Sequence, residues 1–383
     1  MIARTLFAGL FLSAVSIAPS AAGEPLRLSV TSGLPHDHVV PRIVRTHFQD
    51  EVTRRVADSG GGEIVWDELH AGTLARMGGA LEAAEDNLAL FAVVAVNHET
   101  RRLPFQNLTF QMPFTTENCA VVGAAYQALH TELPGMTDDI AAARQAFVSG
   151  IASDGYNFIA VRSVRNADEL RGVRVGMVDR LESWVAGVQG VPRRLPDDTM
   201  GARMEAGELD AALLPTSEIA RVGLRRFADH YTRTGFGAQV PFVLTVNSER
   251  LAALPEAVRA AIAEAGAAFT GAAAEAYCAA GAQAAAELKA QGVRAAKLLK
   301  TRRFQWADSL PPIARSWAEA NDAADRPGTA AVDMYMNRLR AAGVNLLRNW
   351  SRVAPKSALD EALEAAQGSA DNAARELSQV PAR

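Results

Sequence analysis

Residues Leu88 to Val96 form a nearly continuous apolar run, and that run sets what the chain can fold into. A strand with one wet face alternates apolar and polar residues. A strand with no alternation is buried on both faces, as in a parallel sheet covered by helices on either side. The preceding pattern supplies those helices. Leu26 to Thr31 alternates as a strand, the loop from Ser32 to His38 follows, and an amphipathic helix runs from about Val40 to Val56. Gly60-Gly-Gly62 is a turn, Glu63 to Asp67 a second strand, and Leu69-His-Ala-Gly72 a loop before a helix that ends near Glu85. Strand and helix in alternation define an α/β lobe.

The pattern continues beyond that lobe. Helices are expected at Glu117 to Leu129 and at Ala141 to Ser149, and a strand at Gly155 to Val161 opens a second lobe. In the stretch Asp168-Glu-Leu-Arg-Gly-Val-Arg-Val-Gly176, Asn166 caps a short helical turn and Gly172 ends it. Val173, Val175 and Met177 then alternate with Arg174 and Gly176 as a half-buried strand would. Glu182 to Val188 reads as a helix carrying Trp184, and Gly190 to Pro196 as a loop. Asp198 is placed to cap a helix over Thr199 to Glu205. The stretch from Gly207 to Pro215 gives a turn and a short buried strand, and Phe242 to Asn247 a return strand. A very long Ala-rich helix runs from Pro255, suited to the first turn, to about Gln291, with Gly292 at its end. Gly292 to Leu298 forms an edge strand, and Trp306 to Ala320 and Thr329 to Ala342 two more helices. The tail is polar and Ala-rich, with no apolar stripe to hold it.

A chain of 383 residues, 49% hydrophobic, buries a large core and is long enough for two lobes. The net charge of −4, with both signs mixed along the chain, excludes a nucleic-acid binder, which needs clustered basic surface. Arg4, the apolar run from Leu6 to Ala18 and Ser20-Ala21-Ala22 have the layout of an export signal, too short in its apolar part to be a bilayer span. Two cysteines, Cys119 and Cys278, exclude a disulfide-dense scaffold. One bridge between them is conceivable, and two separate buried thiols are the expectation. His36 and His38 lack further ligands at a metal-binding spacing, so no metal and no cofactor is expected. Nothing points to an enzyme: the chain has no nucleophile elbow, phosphate loop or zinc motif. Cys119 and His130 stand at opposite ends of one helix, too far apart for proton transfer.

The stretch ending at Gly176 resembles the signature of solute-binding proteins of TRAP (tripartite ATP-independent periplasmic) transporters, the DctP-type family. There, an Asp-Leu-Lys-Gly-Leu-Lys-Ile-Arg run ends in an arginine that grips a ligand carboxylate. Leu69 to Ala75, Leu103-Pro-Phe105, the run Asp210 to Pro215 and the strand Phe242 to Asn247 resemble further family segments, so the resemblance covers about Leu26 to Gly343. It implies a type II periplasmic-binding-protein-like α/β fold, two lobes joined by crossover strands and a long helix spanning both. The lobes are expected at 23–152 plus about 240–275 and at 153–239 plus about 276–368, after a signal peptide at 1–22 and before a frayed tail at 369–383.

The resemblance implies a periplasmic protein that captures a small organic solute between its lobes and hands it to the membrane subunits of a TRAP permease. No insertion into the membrane follows signal cleavage. A ligand sensor or an apolar-metabolite carrier of the same fold is the alternative reading. Carried over by position, the expected ligand residues are Thr31, Ser32, Val94, Asn97, Asn157, Gly176, Asp179, Leu214 and Phe236. Gly176 stands where the family has arginine, Asn157 where a second cation often lies, and Ala212, Leu213 and Leu214 where the family is polar. These departures imply a ligand other than a simple carboxylate and extra room at Gly176, unless Arg162, Arg174 or Arg180 supplies the missing charge. Asp179 and Asp197 would favour a cationic or polar solute instead. Export predicts cleavage near Ala22, and intact-mass measurement of the secreted protein should show a chain beginning near Gly23, without Met1.

Overall fold

The computed structural model describes residues 24–346 except Asp179. The signal peptide, the tail at 369–383 and Asp179 therefore lie outside the described residues. Two sheets carry the fold. The first has the order β2-β1-β3-β10-β4, built from β1 (Leu26–Thr31), β2 (Ile64–Leu69), β3 (Phe91–Ala95), β4 (Gln145–Ile151) and β10 (Phe242–Asn247). The apolar run is its central strand: β3 lies parallel to β1 and antiparallel to β10, and all five of its residues are buried. The second sheet has the order β11-β9-β5-β8-β6-β7. Its strands are β5 (Tyr156–Ala160), β6 (Arg174–Met177), β7 (Val191–Arg194), β8 (Ala211–Pro215), β9 (His230–Arg233) and β11 (Arg294–Lys297).

Some local expectations change. Residues 141–149 are mostly strand rather than helix, because β4 pairs with β10 on the open side of the sheet and that pairing outweighs helix-favouring alanines. The stretch Gly190 to Pro196 contains β7, an edge strand parallel to β6, despite Pro192. Pro311-Pro312 divides the expected helix at Trp306 to Ala320 into Lys300–Ser309 and Ile313–Asp322. The two cysteines form a disulfide, with their Cα atoms 6.0 Å apart. They are 159 residues apart in sequence, a separation that says nothing about distance once their helices pack together.

The longest helix, Glu256–Ala290, touches β4 and the Val39–Val44 and Cys119–Glu132 helices on one side and the Thr216–Arg221 helix of the second lobe on the other. Its glycines do not break it. Gly281 is where the helix meets Asp154: a Cβ there would stand 2.4 Å from the Asp154 Cβ and 2.7 Å from Oδ2. Asp154 is buried, and it accepts from the Thr216 N–H (2.7 Å), the Ser217 N–H (3.3 Å) and the Ser217 hydroxyl (2.5 Å), so it holds the first turn of the Thr216–Arg221 helix. Burial pushes its carboxyl up to about 6 against those hydrogen bonds.

A second junction is aromatic. The Trp184 indole N–H donates to the Phe110 carbonyl (3.0 Å), and Trp306 donates to the Trp184 carbonyl (2.8 Å). Phe236 packs between them, its ring centroid 4.9 Å from that of Trp184 and 5.3 Å from that of Trp306. Replacing Gly281 with alanine should cost about 1–3 kcal/mol through overpacking against Asp154. At exposed Gly271, with nothing within 4 Å, the same change should stabilise by up to about 1 kcal/mol. Urea unfolding of the two variants compares them directly.

Candidate functional site

Strand ends place the site. The loop after β1 brings Gly33, Leu34 and Pro35 to one wall, joined by Met77 and by Ala95 and His98 at the end of β3. The facing wall comes from the second lobe: Val178 after β6, Leu195 to Asp198 after β7, Leu214 and Pro215 at the end of β8, and Glu218 and Arg221 on the short helix that Asp154 caps. Tyr156, Phe242 and Tyr277 close the inner end. The outer chamber measures about 620 Å³, within the range of small-molecule sites. Most of the lining is apolar.

Its polar end is an ionic network that crosses between the lobes. Arg221 donates from Nη2 to Asp197 Oδ2 (2.5 Å), from Nε to Glu218 Oε1 (2.8 Å) and from Nη1 to Asp37 Oδ1 (3.3 Å). Asp37 and His38 belong to the first lobe, and the other three to the second. His38 Nδ1 accepts the Val40 N–H (3.1 Å), which places the ring proton on Nε2, 3.4 Å from Glu218 Oε2. Burial, with the Arg221 charge beside it, lowers His38 to about 3, so the imidazole is neutral. Burial and the hydrogen bond that protonated Glu218 donates to Asp197 raise Glu218 to about 8, against the pull of Arg221. Burial alone would raise Asp197 as well, but the Glu218 hydrogen bond and the Arg221 charge outweigh it and hold Asp197 below the usual range. The two carboxyls thus share one proton. For Arg221, burial is outweighed by Glu218, Asp197 and Asp37, and the guanidinium stays charged.

The profile of the family described as "Bacterial extracellular solute-binding protein, family 7" (DctP) matches residues 46–321. The chain belongs to this family. Solved structures of TRAP solute-binding proteins share the fold of this family 7 chain. A TRAP periplasmic solute-binding protein from Desulfovibrio salexigens, an open complex with the C-terminus of a symmetry mate in its ligand site, superposes with a TM-score of 0.73 at 17% identity, covering 85% of this chain and 99% of the other. One from Rhodoferax ferrireducens, in complex with copurified benzoate, gives 0.71 at 15% identity over 83% and 98%. One from Bordetella bronchiseptica, with bound (R)- and (S)-mandelate, gives 0.70 at 16% identity over 83% and 100%. No curated protein matches by sequence. No helix among the described residues is long and apolar enough to cross a membrane.

Of the positions carried over from the family signature, Leu214 lines the cleft. Thr31 donates to the Leu69 carbonyl (2.9 Å), and Ser32 meets His70 Nδ1 (2.8 Å). Val94 faces the core, and the buried Asn97 amide nitrogen has no partner. Asn157 is committed: its nitrogen donates to the Gly155 carbonyl and Thr216 Oγ1 (2.9 Å each), and its oxygen accepts the Thr234 N–H (3.0 Å). Phe236 lies in the aromatic junction. Gly176 opens no space in the cleft, which corrects the expectation of extra room. A Cβ on Gly176 would meet Leu209 Cδ1 at 3.0 Å and Met200 Sδ at 3.2 Å, so the neighbouring apolar side chains have filled the gap. Arg174 forks onto Asp210 with two 2.8 Å hydrogen bonds, while Arg162 and Arg180 are exposed.

Sequence reasoning missed the partners of Leu214 largely through strand parity. Ala95 and Tyr156 stand one residue from Val94 and Asn157, and a one-residue offset turns a side chain to the opposite face, while His98 and Val178 lie beyond the strand ends. Glu218 and Arg221, three apart on a helix after a buried strand, were the available signal for the polar end. The raised carboxyl of Glu218 has a stability consequence. The folded state holds a proton that the unfolded state releases above about 4.5, so Glu218 stabilises most at low pH, and that contribution is lost as pH rises through about 8. Comparing the melting temperatures of the native protein and Glu218→Gln from pH 5 to 9 should show a steeper fall with pH for the native chain.

Proposed function

We propose that the protein is an extracytoplasmic solute-binding protein that takes a small organic solute, with a substantial apolar body, into the interlobe cleft and delivers it to a TRAP-type permease in the periplasm. The observation that carries this reading is the cleft itself, built from strand ends of two lobes, with an outer chamber of about 620 Å³ that narrows to an inner end of about 70 Å³, both lined mainly by apolar groups. Family membership supports it. Relatives of the same fold hold benzoate and mandelate, both compact aromatic solutes.

The solute of this chain is not a simple carboxylate. Arg221, which lines the outer chamber, already faces three carboxyl groups, and Arg194, also in that lining, stands 3.7 Å from Glu182. An incoming carboxylate would compete with those partners and leave buried carboxyls uncompensated, which costs several kcal/mol. With the lobes divided at 152–153 and near 240 and 275, a solute that touches both walls draws them together. Thermal-shift screening of the mature chain against acids, sugars, polyols, amines and neutral aromatics should find ligands that raise the melting temperature, with simple dicarboxylates ineffective. X-ray scattering with such a ligand should show a smaller radius of gyration. A chain that responds to no small solute, or only to succinate-like acids, contradicts the reading.

A further inference from the structure

We propose that the interlobe cleft selects an organic cation, with an aromatic or aliphatic body in the outer chamber against Met77, Val178 and Leu195 and an ammonium group directed at Asp197 and Glu218. The proposal rests on the solute-binding reading above and names the solute's charge. Asp197, Asp198 and Glu218 line the cleft, and Asp197 and Glu218 both pair with Arg221, whose guanidinium also reaches the exposed Asp37 outside the lining. A cation meets two carboxyls at one end and apolar side chains along the walls, a combination that suits an ammonium group on an apolar body.

The groups around Glu218 show how the site would respond. Arg221 faces it from its own helix, Asp197 from the start of the Asp197–Glu205 helix, and His38, with Asp37 beside it, from the loop before the Val39–Val44 helix, while Arg42 on that helix and Glu287 on the longest helix line the groove on its outer side. The imidazole is neutral, so the acid pair holds one proton in the empty site. A bound ammonium takes the place of that proton. Glu218 releases H⁺ to solvent, the ligand keeps its own N–H bonds, and the site changes from one shared proton between two carboxyls to two carboxylates around one cation. A neutral ligand would release nothing.

Three probes matched in shape and differing in charge decide it: 2-phenylethylamine, 2-phenylethanol and 3-phenylpropionate, titrated calorimetrically into the mature full-length chain in two buffers of different ionisation enthalpy. The amine should bind about tenfold or more tighter than the alcohol or the acid, as expected for hydrogen bonds to charged groups. It should release close to one proton at pH 7, and its affinity should rise from pH 6 to pH 8 while the amine itself stays protonated. Glu218→Gln should abolish the proton release. Asp197→Asn should weaken the amine about tenfold and leave the alcohol unchanged, which also shows that the variant is folded. Failure of the amine to bind, binding of the acid or alcohol as tightly as the amine, or amine binding to the native chain without proton release overturns the proposal. If the acid or alcohol binds while the amine does not, the solute-binding reading stands and only the cationic assignment is lost.

Discussion

The buried carboxylate of Asp154 is the contact on which the rest of the arrangement depends. It sits just before β5, where the chain crosses from one lobe to the other, and is covered by the longest helix at Gly281, the one residue type that permits so close an approach. Its oxygens are spent on the backbone of Thr216 and Ser217. A single side chain therefore ties together a crossover, the long helix and the first turn of the helix that carries Glu218 and Arg221. A helix of six residues has little intrinsic stability, and its position is set by this cap and by packing against Glu256–Ala290. The polar end of the cleft is consequently held from beneath, by groups that no solute touches.

The aromatic junction has a complementary part. Trp184 and Trp306 each satisfy an indole N–H on a backbone carbonyl, so large rings are buried without orphaned donors. Phe110 belongs to the segment after the first-lobe strands, whereas Trp184 and Phe236 belong to the second-lobe stretch. One apolar cluster consequently includes residues of both lobes. The Cys119–Cys278 bridge fastens the long helix to the Cys119–Glu132 helix beside the same junction. Relative motion of the lobes is limited to what the crossovers and this shared core permit.

Architecture was legible in the sequence because it rests on patterns that repeat. The uninterrupted apolar run became β3, and the Ala-rich stretch after Pro255 became a helix of 35 residues, despite three internal glycines. Gly266 and Gly281 lie against Val148 and Asp154, so they record close packing rather than a break. What failed was local. Alanine-rich residues 141–149 suggested helix, and only the presence of β10 alongside makes β4 a strand. The cleft was partly legible: strand ends located it, yet motif matching named residues whose side chains point into the core or are consumed by backbone, as Asn157 and Thr31 are. Which of two adjacent residues faces a ligand depends on register and on loop paths after the last paired residue, and no short motif encodes these. Gly176 is the clearest instance. Its departure from the family arginine was visible, but the compensating Leu209 and Met200 lie more than twenty residues away.

The contacts that bridge the lobes explain how a cleft of this kind can stay responsive to its solute. Asp37 is 67% exposed, so its pairing with Arg221 across the opening contributes no more than about 1 kcal/mol and weakens with salt. The second bridge is between a neutral imidazole and a protonated carboxyl, His38 and Glu218, which buries hydrogen-bonding groups without burying net charge. Neither bridge holds the lobes together strongly. Had Glu218 been ionised and His38 protonated in the empty state, closing the cleft would have created a buried ion pair, with a large desolvation cost on one side and a large attraction on the other. A weak, nearly uncharged latch adds only a small bias toward the closed form. A solute that touches both walls then sets the population through its differential affinity for that form.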